Sequence, residues 1–156
     1  MNILLVCTGN TCRSSMAEGI FKYLLENSNI ENVHVSSAGI NAFEGDNANE
    51  KAIYTLDKKG IDILNHKARL LTKKIIIDSD LILTMTGSHK KMIVNAVPEY
   101  SNKVYTLKEY AFIANNEEIH DENLDIADPF GSDYNVYEKV AEEIEAQLIK
   151  IVKSLK

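Results

Sequence analysis

Ile3-Leu4-Leu5-Val6-Cys7 is a short, continuous apolar run that breaks at Gly9. An uninterrupted run of this kind reads as a strand buried on both faces, as in a parallel sheet with helices above and below. A helix is then expected next. Ser15 and Glu18 have the S-x-x-E spacing of a capping box. Met16, Ile20 and Leu24 follow at every fourth residue, one stripe of an amphipathic helix. The alternation continues along the chain. Val33-His34-Val35-Ser36 reads as a second strand, and Asn47 to Lys59 as a helix stopped by Gly60. Leu81-Ile82-Leu83-Thr84-Met85 reads as a third strand, and Gly87 to Ala96 as a helix ending before Pro98. Lys103-Val104-Tyr105 is a short fourth strand. Val136, Val140, Ile144, Leu148, Ile151 and Leu155 stripe a long last helix, and Ala114 to Asp133 reads as irregular and acidic. The expected fold is α/β, a three-layer sandwich with a four-stranded parallel sheet flanked by helices. With no linker, repeat or shift in composition, residues 1–156 are expected to form one domain.

Composition narrows the function classes. No apolar run approaches the roughly 18 residues of a membrane helix, and no basic, cleavable leader opens the chain. A cytoplasmic protein with no membrane partner is expected. Cys7 and Cys12 are the only cysteines, too few for a disulfide scaffold, so both are expected to be reduced thiols. The chain carries 17 basic and 23 acidic residues, a net charge of −6. Arg13 and Arg69 are its only arginines, and there is no basic stripe, so nucleic acid is not an expected partner. An anionic ligand would have to be held by a local positive field against long-range repulsion.

The first strand-to-helix turn, Cys7-Thr8-Gly9-Asn10-Thr11-Cys12-Arg13-Ser14, can supply such a field. In open α/β folds, ligands sit beyond the carboxyl ends of the strands. A loop wrapped here can point successive N–H groups inward as an anion nest, with the following helix adding its positive end. Gly9 and Asn10 tolerate the left-handed backbone that such a wrap needs. Arg13 can fork two donors onto phosphate oxygens. The same features favour a thiolate on Cys7, at the floor of the cradle. The C-x5-R spacing alone is equally compatible with a buried cysteine and a surface arginine. Its place between a buried strand and a helix start favours the cradle.

These residues resemble the nucleophile loop of the low-molecular-weight protein tyrosine phosphatase family, continued by Met16-Ala17-Glu18. Ser37-Ala38-Gly39, His66-Lys67-Ala68-Arg69 and Asp128-Pro129 fall where that family has matching segments, so the resemblance spans essentially the whole chain. Ser15 stands where the family usually has proline. The resemblance implies that Cys7 is the nucleophile and Arg13 the clamp on the phosphoryl group. It implies that Thr8, Gly9, Asn10, Thr11, Cys12 and Ser14 surround the substrate phosphate, with Ser14 donating to the thiolate. Ser37 and His66 would hold the loop in shape, together with Asn10.

A cysteinyl-phosphate mechanism also needs an acid for the leaving group and a base for water. Asp128 is the candidate, because Pro129 restricts it to extended conformations that can aim its carboxyl. Glu117, Glu118, Asp121, Glu122 and Asp125 precede it and read mainly as a solvated acidic loop. No cofactor or metal is expected, since the mechanism needs none. The expected partners are phosphorylated proteins, acted on by a monomer.

For the substrate, Thr11 and Asp128-Pro129-Phe130-Gly131 resemble the bacterial protein-arginine-phosphatase branch. Tyrosine-specific members usually carry a bulky aliphatic residue at the position of Thr11. A threonine there adds a hydroxyl that can orient the attacking water, and removes apolar bulk. Phe130 supplies one ring at the pocket. Phe43 lies where tyrosine-specific members often place an aromatic wall, which keeps phosphotyrosine as the alternative. Arsenate reductases share the loop but need further cysteines that this chain lacks. A redox switch or anion-binding module without turnover is the remaining rival. Cys12 is close enough in sequence to form a reversible disulfide with Cys7, which is expected to protect or regulate the phosphatase rather than to be its function.

Overall fold

The computed structural model describes residues 1–156. The strands β1 (Asn2–Cys7), β2 (His34–Gly39), β3 (Leu81–Thr84) and β4 (Val104–Thr106) form one parallel sheet in the order β2-β1-β3-β4. Both faces of the sheet are covered. Ile3, Leu5, Cys7, Leu81 and Leu83 point into the larger core. That core is filled from α1 (Arg13–Asn27), α2 (Glu50–Asp57), α5 (Leu107–Ala114) and α6 (Tyr134–Ser154). Leu4, Val6, Ile82 and Val104 point the other way, onto Ile76 of α3 (Lys73–Asp78) and Ile93 of α4 (Gly87–Ala96). The unbroken apolar run of β1 thus follows from two buried faces, each taking alternate residues. The fold is the expected four-stranded α/β sandwich.

The structure corrects several local expectations. α1 begins at Arg13, with Cys12 at its N-cap and no side-chain cap. Ser15 and Glu18 therefore form no capping box. The Ser15 hydroxyl donates to the Cys12 carbonyl (2.9 Å), and Glu18 accepts from Ser37 Oγ (2.7 Å). α2 starts at Glu50 rather than Asn47, because Asn49 caps it by accepting from the Lys51 N–H (2.9 Å). α3 and α5 were not expected at all. Thr72 Oγ1 caps the first by accepting from the Ile75 N–H, and Thr106 Oγ1 caps the second by accepting from the Glu109 N–H. No helix is long and apolar enough to cross a membrane.

From β1 the chain crosses to β2 on one side, and later to β3 on the other. The carboxyl ends of β1 and β3 therefore flank the crevice where the strand order reverses, the usual ligand position in such sheets. Cys7 ends β1 at this point, paired with Gly39.

Candidate active site

Residues 8–12 turn from the end of β1 into the start of α1. Asn10 takes the left-handed conformation, φ 58°. Gly9 does not, contrary to expectation, and a Cβ there would meet only Thr11 Oγ1 at 3.7 Å. The loop carbonyls face outward into the scaffold. Cys7 O accepts from Ile40 N–H, Thr8 O from Asn41 N–H, and Thr11 O from Asn49 N–H. Asn10 O pairs with His66 Nε2 at 2.7 Å. The N–H groups of Gly9, Thr11, Cys12, Arg13 and Ser14 have no acceptor within the protein. A turn with bonded carbonyls and free amides is chemically an anion nest, backed by the positive end of the 15-residue α1.

Cys7 lies beneath this turn, 3% exposed. Its Sγ is 2.9 Å from Ser14 Oγ and accepts from the Asn10 N–H at 3.3 Å. Asn10 Nδ2 donates to both Ser14 Oγ and Ser37 Oγ, each at 2.8 Å. The Ser37 hydroxyl in turn donates to Glu18 at 2.7 Å. Arg69 closes the far side: its N–H donates to Asn10 Oδ1 (3.0 Å), and its guanidinium donates to Ser37 O and Ser36 Oγ. Gly39 permits this packing. A Cβ there would stand 2.6 Å from Thr8 O and 2.9 Å from the Asn10 nitrogen.

Arg13 is buried, donating from one terminal nitrogen to Ile126 O (2.9 Å), while the other lies 3.6 Å from Asp128 Oδ2. Asp128 keeps about half its side chain in solvent (54%), and its Oδ1 accepts from the Phe130 N–H at 3.1 Å. The acidic segment before it is pinned rather than loose. Ile126 N–H donates to Met85 O, Asp125 Oδ1 accepts from the Gly87 N–H, and the buried Lys108 ties Asn123 O and Asp121 to Glu143 of α6.

These groups line a cleft of about 410 Å³. Cys7, Thr8, Gly9, Thr11, Cys12 and Arg13 form its floor and wall, with Asp128 and the exposed rings of Phe43 and Phe130 at its mouth. Asn41 and Asp46 line it too, although no motif singled them out. Cys12 is buried, with Sγ 3.3 Å from the Tyr137 hydroxyl, and burial pushes both groups toward their protonated forms. His89 is a second unanticipated neighbour: buried, its Nε2 lies 2.9 Å from Thr8 Oγ1. Burial, then the Arg13 charge, push its pKa down to about 4, so the ring is neutral near pH 7. Arg69 and His89 reach the loop from 59 and 81 residues away from their partners on it; Arg69 lies in a segment that the resemblance marked, whereas His89 carries no local sequence signal.

A cleft of this build suits phosphate-ester or phosphoramidate chemistry on a cysteine, and known proteins agree with it. Residues 2–156 match the family model described as low molecular weight phosphotyrosine protein phosphatase. A protein-arginine-phosphatase of Bacillus subtilis is 40% identical over 100% of this chain and 97% of its own length. A solved YwlE arginine phosphatase, with serine for its cysteine and that active-site serine phosphorylated, superposes with a TM-score of 0.88 at 37% identity, covering 99% of this chain and 95% of the other. A low molecular weight protein tyrosine phosphatase from T. tengcongensis superposes at 0.87 with 40% identity, covering 98% of each chain. With the match running through the loop, the sheet and the last helix alike, the chain belongs to the low molecular weight phosphotyrosine protein phosphatase family.

Proposed function

We propose that the chain removes phosphate from phosphoarginine residues of proteins, with Cys7 as nucleophile, Arg13 as clamp and Asp128 as acid and base. One observation carries the chemistry: Cys7 Sγ lies 2.9 Å from Ser14 Oγ and accepts from the Asn10 N–H, at the foot of a turn whose Gly9, Thr11, Cys12, Arg13 and Ser14 N–H groups are unpaired. Those donors can stabilise the equatorial oxygens of a transferring phosphoryl group held above the sulfur.

In the first step the Cys7 thiolate attacks phosphorus, the P–N bond breaks, and Asp128 gives its proton to the departing guanidine nitrogen. A neutral guanidine has a conjugate acid above about 12, so it leaves protonated. In the second step water attacks the thiophosphate and Asp128 takes its proton. The P–S bond breaks and the thiolate returns. Arg13, fixed by Ile126 O and facing Asp128 at 3.6 Å, spans the phosphoryl site and the acid.

Three features support guanidine as the leaving group. Thr11 leaves the cleft wall with a hydroxyl and little bulk. A second carboxylate, Asp46, lines the cleft without any ion-pair partner, suiting a cationic leaving group. The relative named above is called a protein-arginine-phosphatase. Phosphotyrosine is the second reading, favoured by Phe43 and Phe130, two exposed rings able to flank a phenol. A side-by-side assay on phosphoarginine and phosphotyrosine peptides decides. The expected result is a higher kcat/KM on phosphoarginine, with Thr11→Ile shifting preference toward phosphotyrosine. A ratio unchanged by Thr11→Ile removes the main reason for choosing arginine.

A further inference from the structure

His89 Nδ1 is a buried polar side-chain atom with no hydrogen-bond partner, and no other buried side-chain nitrogen or oxygen is left without one. Among buried side-chain nitrogens and oxygens, that exception calls for a cause. The ring sits in the first turn of α4, 6% exposed, with Nε2 2.9 Å from Thr8 Oγ1. Arg13 faces it, and so do Asp125 and Asp128 with opposite effect. Burial and Arg13 prevail, the helix N-terminus adds to them, and the ring carries a single proton near neutral pH.

That proton has two homes. On Nδ1 it would be a buried N–H without acceptor, the rarer kind of orphan. On Nε2 it is bonded to Thr8. A threonine hydroxyl has one proton and two lone pairs, so accepting from the ring leaves its own proton free to turn. Thr8 is exposed on the cleft wall beside Cys7 and Arg13. In the other tautomer, Thr8 would give its proton to the ring and present only lone pairs to a phosphate dianion, which repels.

We propose that His89 is a positioning residue for phosphate recognition: its Nε2–H donates to Thr8 Oγ1 and turns the Thr8 hydroxyl proton into the cleft, as a donor to a phosphoryl oxygen. The unpartnered Nδ1 is then a bare lone pair, the cost of holding this tautomer. The proposal uses the phosphatase reading for its kinetic assay only; the tautomer is independent of it.

Nitrogen-15 NMR of the labelled wild-type protein, between about pH 6 and 8, is expected to show the neutral Nε2–H form with and without vanadate. An Nδ1–H form or an imidazolium overturns the proposal, whether or not the protein turns over any substrate. In parallel, His89→Leu is expected to raise the vanadate inhibition constant about 3- to 10-fold, the scale of one neutral hydrogen bond. His89→Gln, which retains an N–H donor, is expected to recover most of that loss. Thr8→Val should lose as much as His89→Leu, and the double variant no more than Thr8→Val alone. A His89→Leu effect that persists in full on the Thr8→Val background shows that His89 does not act through the hydroxyl, and overturns the proposal. So does a wild-type constant in Thr8→Val. If the wild type hydrolyses para-nitrophenyl phosphate but neither phosphoarginine nor phosphotyrosine peptides, yet shows the Nε2–H form and these vanadate shifts, the proposed function fails and this inference stands.

Discussion

Asn10 takes part in five hydrogen bonds, from its backbone N–H and carbonyl and from both ends of its side-chain amide. It does so at φ 58°, a conformation that costs most residues about 1–2 kcal/mol and that asparagine adopts more readily. Asn10→Ala keeps the strain and leaves Ser14, Ser37 and the Arg69 amide short of partners. It should lower the unfolding free energy by about 2–4 kcal/mol in urea titration, and kcat/KM by about 100-fold. Asn10→Gly relieves the backbone and should regain about 1 kcal/mol of stability without regaining turnover. Recovery of turnover in the glycine variant would contradict the role given to the amide side chain. His89 makes a different prediction. Its folded pKa of about 4 lies below the unfolded value of about 6.5, so between them the unfolded chain binds more protons. Stability is therefore full above about pH 6.5 and falls as the pH drops toward about 4. Denaturation across that range should show a shallower slope in His89→Gln than in the wild type. Equal slopes would mean that His89 does not carry this dependence.

At the scale of elements, the loop is held by its neighbours more than by its own sequence. Gly39 closes β2 against the turn, and a methyl group there cannot fit without moving Thr8 or Asn10. Gly39→Ala should therefore lower kcat/KM by about 10- to 100-fold, as displacements of about 1 Å do. The cost in stability should be a smaller, about 1–3 kcal/mol, overpacking penalty. Loss of folding with no separate effect on turnover would argue that the loop tolerates the shift. How far such relations can be read from sequence depends on their range. The buried strands β1 and β3 and the stripe of α6 were legible because burial on fixed faces imposes a period. The cysteine, the arginine and the Asp-Pro stood out because spacing and stiffness are local. α3 was missed because Lys73–Asp78 is only six residues long and its Ile75-Ile76-Ile77 run suits a strand as well as a helix. α5 was missed although Thr106 and Glu109 have capping-box spacing, since it follows β4 without a break. The Ser15–Glu18 pair shows the converse: the right spacing, but with Glu18 taken up by Ser37. His89 and Asp46 join the site only through folding, so no period or motif marks them, and Arg69 was marked only by the resemblance of its segment.

The whole molecule carries a net charge of −6, yet its candidate site is built for an anion. The two are compatible because the site's field is short-ranged, made of unpaired amides, one helix end and one buried guanidinium. The large core on the α6 side and the small core on the α3–α4 side clamp β1 between them, and β1 delivers Cys7 to the reversal point of the sheet. What that architecture is for can be measured directly. Asp128→Asn enzyme is mixed with para-nitrophenyl phosphate, whose phenolate leaves without needing a proton, and quenched within milliseconds. The phosphorylated residue is then mapped by mass spectrometry. The account predicts a burst of nitrophenol close to one equivalent, with the phosphoryl group on Cys7, and neither burst nor label in Cys7→Ala. A label on any other residue, or steady turnover by Cys7→Ala, would contradict it.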